Sequence, residues 1–334
     1  MWWFAKKDKK IKDAYSYFVT AERHAALSIE KFHLCSWLYR KFLFWRREVL
    51  EIGLQIKVKS EEGLGKLEDG SRVLEVSVLV PWLSDKVKVE DLYPSIKDTK
   101  NARFIFNEDV EPGRTFDCGE GDAGQVLEFA HPICALPVDR RVANGVLHLA
   151  VRIPDEMDIK LWSVYVRVAM RIPNGKYYYA AHGLSRSLYS FDVKVNEPRN
   201  FPDPAHKACI CPIENCFSIN ILPSDFQVVF LSPETFKNVR ILEHEMYNHY
   251  VKGRESFIQN IKPNKYQVVF NRKDKDHFSF FSVFESEHIG LTPLIITVLL
   301  NIACTILFLS TKTYEESLLC SCFQAIKNCF SGWF

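Results

Sequence analysis

The feature that most constrains this chain is an uncharged apolar stretch near its C-terminus. No Asp, Glu, Lys or Arg occurs between His288 and Lys312. An α-helix rises about 1.5 Å per residue, so about 20 apolar residues cross a hydrocarbon core of about 30 Å. The sequence therefore predicts one transmembrane helix over 289–310, with a buried helix of a globular core as the alternative. The membrane-facing residues of this helix would be Leu291, Leu294, Ile295, Ile296, Leu299, Leu300, Ile302, Ile306, Leu307 and Phe308.

The predicted orientation depends on the other end of the chain. The N-terminus is basic, but it lacks the apolar core of about 7–15 residues that a secretory signal requires. We therefore expect the bulk of the chain to be cytoplasmic and the protein to be a single-pass, tail-anchored membrane protein. Lys and Arg total 43 and Asp and Glu total 41, and this balance gives no evidence for nucleic-acid binding.

The residues after the apolar stretch favour a short amphipathic helix over 313–334. Thr313 and Glu316 have the spacing of a capping box, in which the threonine caps a helix and the glutamate bonds back to a free amide. Apolar residues then recur at helical spacing, which is typical of a helix at a bilayer interface or against sister subunits. The interfacial residues of this tail would be Leu319, Phe323, Ile326, Phe330 and Trp333.

Residues 1–51 also predict a long helix. Neither Gly nor Pro occurs before Gly53, and apolar side chains from Ile11 to Phe42 follow spacings of three and four. Two interpretations remain open. The helix could pack on its own domain, a sister subunit or another protein partner, or it could dock on anionic lipid through the basic and aromatic residues near its end.

Residues 52–197 show the alternation that is typical of β-strands. From Trp162 to Ile172, apolar residues alternate with Ser, Tyr, Arg and Ala, which predicts one buried and one largely solvated face. Asn174-Gly175 is a strong hairpin signal, with 176–182 as the return strand. We expect an antiparallel, β-sandwich-like domain. Further strands are predicted at 54–58, 73–80, 145–153 and 188–195.

Three prolines between 197 and 204 predict an extended linker to a second domain. Residues 205–287 then predict a small α+β domain with strands at 217–222, 226–231, 266–270 and 278–284. Ser232 and Pro233 predict the start of a helix that runs to about Tyr250, because serine caps helices and proline suits their first position. The fold class is therefore α+β and mostly β, with a helix at each end.

Catalytic motifs are missing from the sequence. It contains no GxxxxGK[ST], no GxGxxG after a strand and no GxSxG. His244 and His249 are five residues apart rather than four, so a regular helix turns them about 140° away from each other and they cannot share one metal ion. We expect a protein that is not an enzyme. If it is one, Glu243, His244 and His249 are the first residues to test.

His206, Cys209, Cys211 and Cys216 form the one cluster of metal-ligand types. Their chemistry suits a structural zinc ion at the join between the two domains. Their spacing matches no paired CxxC pattern, so ordinary reduced cysteines are the other interpretation. No other cofactor is predicted. The 10 cysteines are scattered without pairing, which is typical of proteins from a reducing compartment.

This layout leads to a functional hypothesis. The chain would be a membrane-anchored cytosolic sensor or effector that binds a partner or signal, self-associates and acts at the lipid bilayer. The layout resembles that of membrane-disrupting effectors in prokaryotic antiviral systems. The alternatives are a passive membrane-anchored scaffold that recruits a cytosolic partner, and a membrane-proximal hydrolase without a recognisable motif.

Overall fold

The computed structural model describes residues 16–42, 45–106, 108–117, 123–128, 132–173, 178–182, 186–197, 209–232, 237–251, 266–274, 278–287 and 291–311. The chain divides into two compact units. The larger unit comprises Lys6–Ala181 and Leu188–Ser286 and contains nearly all of the described strands. The smaller unit comprises Met1–Ala5, His182–Ser187 and Glu287–Phe334.

The described chain is built mainly of strands. The strands are β1 Ser16–Thr20, β2 Leu27–Phe42, β3 Trp45–Val58, β4 Gly65–Lys66, β5 Arg72–Leu79, β6 Val89–Asp91, β7 Glu111–Asp117, β8 Ala123–Glu128, β9 Ile133–Ala135, β10 Asp139–Ala143, β11 Val146–Ile153, β12 Ser163–Arg171, β13 Tyr179–His182, β14 Arg186–Val195, β15 Ile213–Pro223, β16 Phe226–Ser232, β17 Lys237–Ile241, β18 Tyr266–Asp274 and β19 Phe278–Glu287. The α-helices are α1 Tyr93–Ile96, α2 Thr99–Phe106, α3 His244–Val251 and α4 Leu291–Thr311.

The strands form two sheets. One has nine strands in the order β10-β11-β5-β1-β14-β19-β16, with β13 paired to β14 and β4 paired to β5. The other has ten strands in the order β17-β18-β15-β2-β3-β12-β9-β8-β7, with β6 paired to β12. Both sheets are mixed rather than purely antiparallel, because β1 runs parallel to β14, β9 to β12 and β2 to β15.

The main hydrophobic core lies between the two sheets. Alternate residues of each strand point to one face, so β5 contributes Leu74, Val76 and Val78 from one sheet. The β12 strand contributes Val164 and Val166 from the other sheet. The opposite face of the ten-stranded sheet is buried as well, because α1, α2 and α3 pack on it and form a second core. The ten-stranded sheet is therefore covered on both faces.

The long helix predicted for residues 1–51 is wrong for the part that the structure describes. Ser16–Thr20 forms β1, and Leu27–Phe42 and Trp45–Val58 form the antiparallel pair β2 and β3, whereas residues 1–15 and 43–44 lie outside the described chain. Two physical causes produced the misleading periodicity. Both faces of β2 are buried, and a bulge between Ile29 and Lys31 shifts the inward positions from Ile29 to Phe32, a spacing of three.

Two further predictions for the β region need correction. Both faces of β12 are buried instead of one, because helices cover the side that carries Tyr165 and Arg167. The return strand predicted after Asn174-Gly175 is β13, which pairs with β14 in the nine-stranded sheet. The chain therefore passes from one sheet to the other between β12 and β13, and the predicted hairpin is not formed by these two strands.

Strands from both predicted domains share the same sheets. The β15 strand, from the predicted second domain, pairs with β2 along Ile29–Trp37. The helix predicted from Ser232 to Tyr250 is largely wrong, because β16 extends to Ser232 and β17 occupies Lys237–Ile241. Helix begins only at His244, in α3.

The apolar stretch near the C-terminus forms α4 in the smaller unit. The predicted transmembrane span is nevertheless wrong, since no helix in the described ranges has both the length and the apolarity needed to cross a bilayer.

Candidate functional site

An open groove of about 600 Å³ lies on the outer face of the nine-stranded sheet. Its floor is formed by β5, β11 and β10, and the segment after β1 forms one wall. Outward positions of these strands carry polar side chains, since alternate residues face away from the core. The charged residues that line the groove are Glu22, Arg23, Glu75, Asp139, Arg140 and Arg141.

A tight hairpin shapes this groove. Asn144 and Gly145 connect β10 to β11 with φ of 53° and 79°, as a two-residue type I′ turn requires. The resulting register places Arg141 opposite His148, which in turn lies opposite Ser77 on β5. The hairpin thus brings a cation, an imidazole and a hydroxyl into one row across three strands.

The Ser77–His148 pair gives the groove hydrogen-bonding capacity. Ser77 Oγ lies 2.9 Å from His148 Nδ1. A nucleophilic serine needs a base that is oriented by a third group, usually a carboxylate. Among the described residues, His148 forms no ion pair or hydrogen bond with a carboxylate. The pair is suited to binding a polar ligand.

Arg140 occupies a fixed position beside the groove. Its Nε donates to the Val89 carbonyl oxygen at 2.9 Å. It also lines a neighbouring cavity of about 420 Å³, together with Asp85 and Asp139. Three arginines and three carboxylates line the main groove. This mixed charge matches a ligand that carries both signs, such as a polar peptide, better than a polyanion.

A second polar cluster is buried between the ten-stranded sheet and its helices. Arg167 on β12 donates from Nε and Nη2 to Glu51 Oε2 on β3, at 3.1 and 2.7 Å. The Tyr250 hydroxyl on α3 donates to the same carboxylate oxygen at 2.6 Å. Arg167 Nη1 donates to the Tyr165 hydroxyl at 3.2 Å, and His33 Nδ1 lies 3.0 Å from that hydroxyl. We call these five residues the buried ionic network.

Burial sets the protonation states in this network. Loss of solvent, together with the charges of Arg167 and Lys31, holds the pKa of His33 well below its usual range. Burial also raises the pKa of Tyr165, against the opposing effect of Arg167. His33 is therefore neutral and Tyr165 protonated near pH 7. The ionic content of the network is then the single Glu51–Arg167 pair, which fastens α3 to the sheet through Tyr250.

Gly53 makes room for this network. It lies opposite both His33 on β2 and Arg167 on β12. A Cβ atom at this position would overlap the Tyr165 hydroxyl group. Only glycine allows the tyrosine to reach across β3 toward His33.

The predicted zinc ligands are not brought together in the described chain. Cys211 and Cys216 are buried in the inter-sheet core, and Cys209 is partly exposed. Burial raises the pKa of Cys211 to about 12 and that of Cys216 well above its usual range, so both side chains are protonated thiols near pH 7. No group of three or more potential ligands occurs among the described residues. His206 lies outside them, so the zinc site stays a prediction.

The residues proposed for a test of hydrolase activity lie on α3 or directly before it. His249 lies on α3, where its Nε2 is 3.4 Å from Asp98 Oδ2 at a half-exposed site. Glu243 is exposed just before that helix, and His244 is its first residue. Within the ranges that the structure covers, these residues line neither of the two cavities described above.

The residues predicted to face the membrane lie on α4, where the described side chains are largely exposed. The interfacial tail falls on residues outside the described chain. Its residues are Leu319, Phe323, Ile326, Phe330 and Trp333.

The sequence pattern missed both polar sites. The Asn144-Gly145 turn between two strand-like runs was the available signal for the groove, because it fixes Arg141 opposite His148. No comparable local signal marks the buried ionic network. Its members come from β2, β3, β12 and α3, and only long-range pairing brings them together.

Comparison with known proteins gives no family assignment. No protein-family model matches this chain, and no curated protein matches it significantly. Functional inference therefore rests on the geometry of the chain itself.

Proposed function

We propose that this chain is a cytosolic, non-enzymatic binding protein of the sensor or effector type, which self-associates through α4. The observation that carries this proposal is the surface of α4. Apolar surface that stays in contact with water costs about 25 cal/mol of free energy per Å². Eight large aliphatic side chains on the helix are 46–61% exposed, namely Leu294, Ile295, Val298, Leu299, Leu300, Ile302, Ile306 and Leu307.

The arrangement of residues around α4 favours contact between helices. At about 100° per residue, the eight aliphatic residues spread over a broad arc. Thr297, Asn301, Cys304 and Thr305 form a narrower stripe of smaller side chains. Thr305 Oγ1 donates to the Asn301 carbonyl oxygen at 2.7 Å, so its hydroxyl is satisfied within the helix. This stripe lies opposite the middle of the arc, so the aliphatic residues would make the contact with a second helix.

A second copy of the chain is the occupant that we propose for this surface. Each copy supplies the same arc and the same stripe, so a closed symmetric bundle of α4 helices would bury the aliphatic surface of every member. The passive-scaffold alternative loses support because its partner-binding element was the long N-terminal helix. The membrane-disrupting action loses support together with the predicted span.

The groove on the nine-stranded sheet supports the binding part of the proposal. It offers mixed charge and a Ser77–His148 hydrogen bond to a polar ligand.

The test is the molar mass of the full chain in solution, measured by light scattering after size-exclusion chromatography. The molar mass measured for wild type should be a multiple of 38.8 kDa, the mass of one chain. The double variant Ile295→Glu/Leu299→Glu should be monomeric, because each glutamate places a charge within the aliphatic arc. Leu161→Glu, a change at an exposed leucine in the larger unit, should leave the oligomer intact.

A monomeric wild type would overturn the proposed self-association. Sedimentation of that monomer with phosphatidylcholine vesicles would then identify lipid as the occupant of α4. Failure to sediment would leave another protein as the partner to seek.

A further inference from the structure

We propose that the groove on the nine-stranded sheet binds a free dipeptide, a zwitterion whose ammonium and carboxylate groups lie about 7 Å apart when it is extended. This inference rests on the proposed binding function and does not depend on self-association through α4. Its basis is the way in which the strand register sorts the charges on the floor of the groove.

The charged side chains of the groove are available to a ligand. Within the described chain, five of the charged side chains that line the groove form no hydrogen bond or ion pair, and all five are exposed. They belong to Glu22, Arg23, Glu75, Asp139 and Arg141. The sixth, Arg140, already donates to the Val89 carbonyl oxygen. A ligand that pairs with the five would therefore displace only water.

One row of residues across three strands forms an anionic site. Asp139 on β10 lies opposite Ala150 on β11, which lies opposite Glu75 on β5. Neighbouring strands are about 4.8 Å apart, so the two acidic residues are on strands about 10 Å apart with a small methyl group between them. An ammonium group above Ala150 would be within reach of both carboxylates. We call these three residues the anionic row.

The next row of outward residues forms a site of the opposite kind. Arg141 lies opposite His148, and His148 lies opposite Ser77. The Ser77 hydroxyl occupies His148 Nδ1, so a proton on Nε2 of the same ring can be donated to a ligand. A guanidinium and an imidazole N–H are donors suited to a carboxylate. We call these three residues the cationic row.

The distance between the rows selects the ligand. The rows are two residues apart along each strand, which is about 6.8 Å at about 3.4 Å per residue. An extended peptide spans at most about 3.6 Å per residue, so two residues match this distance. A single amino acid is too short to reach both rows, and a tripeptide is too long. The groove volume of about 600 Å³ leaves room for the side chains of a dipeptide.

The overall charge of the groove agrees with this ligand. Three arginines and three carboxylates line it, so their formal charges cancel. A zwitterion has no net charge, and its two ends find complementary charge locally in the two rows. A polyanion or a polycation would instead meet three like charges.

The test is isothermal titration calorimetry of the full-length protein with L-alanyl-L-alanine. Binding should be saturable and at least tenfold tighter than that of alanine or trialanine, because only the dipeptide matches the distance between the rows. N-acetyl-Ala-Ala, which lacks the ammonium group, and Ala-Ala amide, which lacks the carboxylate, should each bind at least tenfold more weakly than the dipeptide.

Matched variants assign each end of the ligand to its row. Glu75→Gln should weaken Ala-Ala binding at least tenfold and leave the weaker binding of N-acetyl-Ala-Ala within twofold of wild type. Arg141→Gln should weaken Ala-Ala binding by a similar factor and leave that of Ala-Ala amide within twofold. Glu156→Gln and Lys100→Gln, at exposed charges outside the groove, should bind Ala-Ala like wild type. Circular dichroism checks that each variant is folded.

The proposal is overturned if wild type does not bind Ala-Ala, or if the blocked peptides or the two groove variants bind as tightly as the unmodified pair. Equal binding of alanine would show that the rows act separately, and equal binding of trialanine would show that the distance between them does not select the ligand. Either result overturns the proposal. The variant Ile295→Glu/Leu299→Glu should bind Ala-Ala within twofold of wild type. A monomeric chain that binds Ala-Ala would overturn only self-association, whereas an oligomer that does not bind it would overturn only the dipeptide site.

Discussion

The buried ionic network and the open groove contain similar residues in opposite settings. The network holds Glu51, Arg167 and His33, with tyrosine hydroxyls completing its bonds. The groove holds Glu75, Arg141 and His148, with Ser77 as the hydroxyl. Both sets lie on neighbouring strands of a sheet. The difference is that helices cover the first set, whereas the second faces solvent.

This comparison shows that burial, rather than residue type, assigns the role. In the network, Glu51 and Arg167 are buried together, and removing either one leaves the charge of the other without compensation. In the groove, solvent screens the same charges, so they contribute little to stability and remain available to a ligand. The two sites should therefore respond very differently to equivalent substitutions.

The largest expected effect comes from removing the arginine of each site. Arg167→Ala leaves Glu51 buried without its cationic partner and should lower the free energy of unfolding by about 3–5 kcal/mol. Arg141→Ala, at an exposed position of β10, should change it by no more than about 0.5 kcal/mol. Urea denaturation followed by circular dichroism measures both. An equal loss of unfolding free energy in the two variants would contradict the proposed difference between the buried and the exposed site.

A smaller effect is expected from Tyr250→Phe, which removes one hydroxyl and keeps the ring. The lost hydrogen bond to the Glu51 carboxylate should lower the free energy of unfolding by about 1.5–3 kcal/mol. Tyr179→Phe is the matched control at an exposed tyrosine and should have no measurable effect. Thermal denaturation of both variants tests this, and an unchanged midpoint for Tyr250→Phe would show that the bond does not hold α3.

The smallest effect is a pH dependence that arises from His33. Its pKa lies below the usual 6.5 in the folded state, so the unfolded chain binds the proton first as the pH falls. Stability is therefore complete above about pH 6.5 and falls below it, by at most about 1.4 kcal/mol per pH unit. Denaturation between pH 7.5 and 5 should show a shallower decline for His33→Gln than for wild type. An equal decline for His33→Gln and wild type would contradict the assignment.

Much of the strand content was predictable from alternation. The runs at 73–80, 145–153 and 226–231 coincide with β5, β11 and β16 to within one or two residues. In β5 and β11 one face points toward the core, so the period of two is visible in the sequence of these two strands. In β2 and β3 both faces are buried, and the bulge at Ile29 disturbs the period further. Local pattern could not distinguish this segment from a helix.

The groove and the buried ionic network also differ in how far the sequence predicts them. The groove was within reach of sequence reasoning, because Asn144-Gly145 fixes a hairpin and therefore a register. The partner of Arg167 could not be predicted from the sequence. Glu51 lies 116 residues away, and the two residues meet only because β12 pairs with β3. The sequence suggested a solvated face for Arg167, and the helices that cover this face reversed that expectation.

The sequence by itself determined which segments alternate as strands and which segment near the C-terminus is an apolar helix, because these properties follow from the order of neighbouring residues. The tertiary structure alone decided that Leu27–Phe42 and Trp45–Val58 are paired strands and that Arg167 and Glu51 are buried together. Those outcomes depend on which distant strands pair and which helices cover them, and the burial of a side chain is set by such neighbours rather than by its own local pattern.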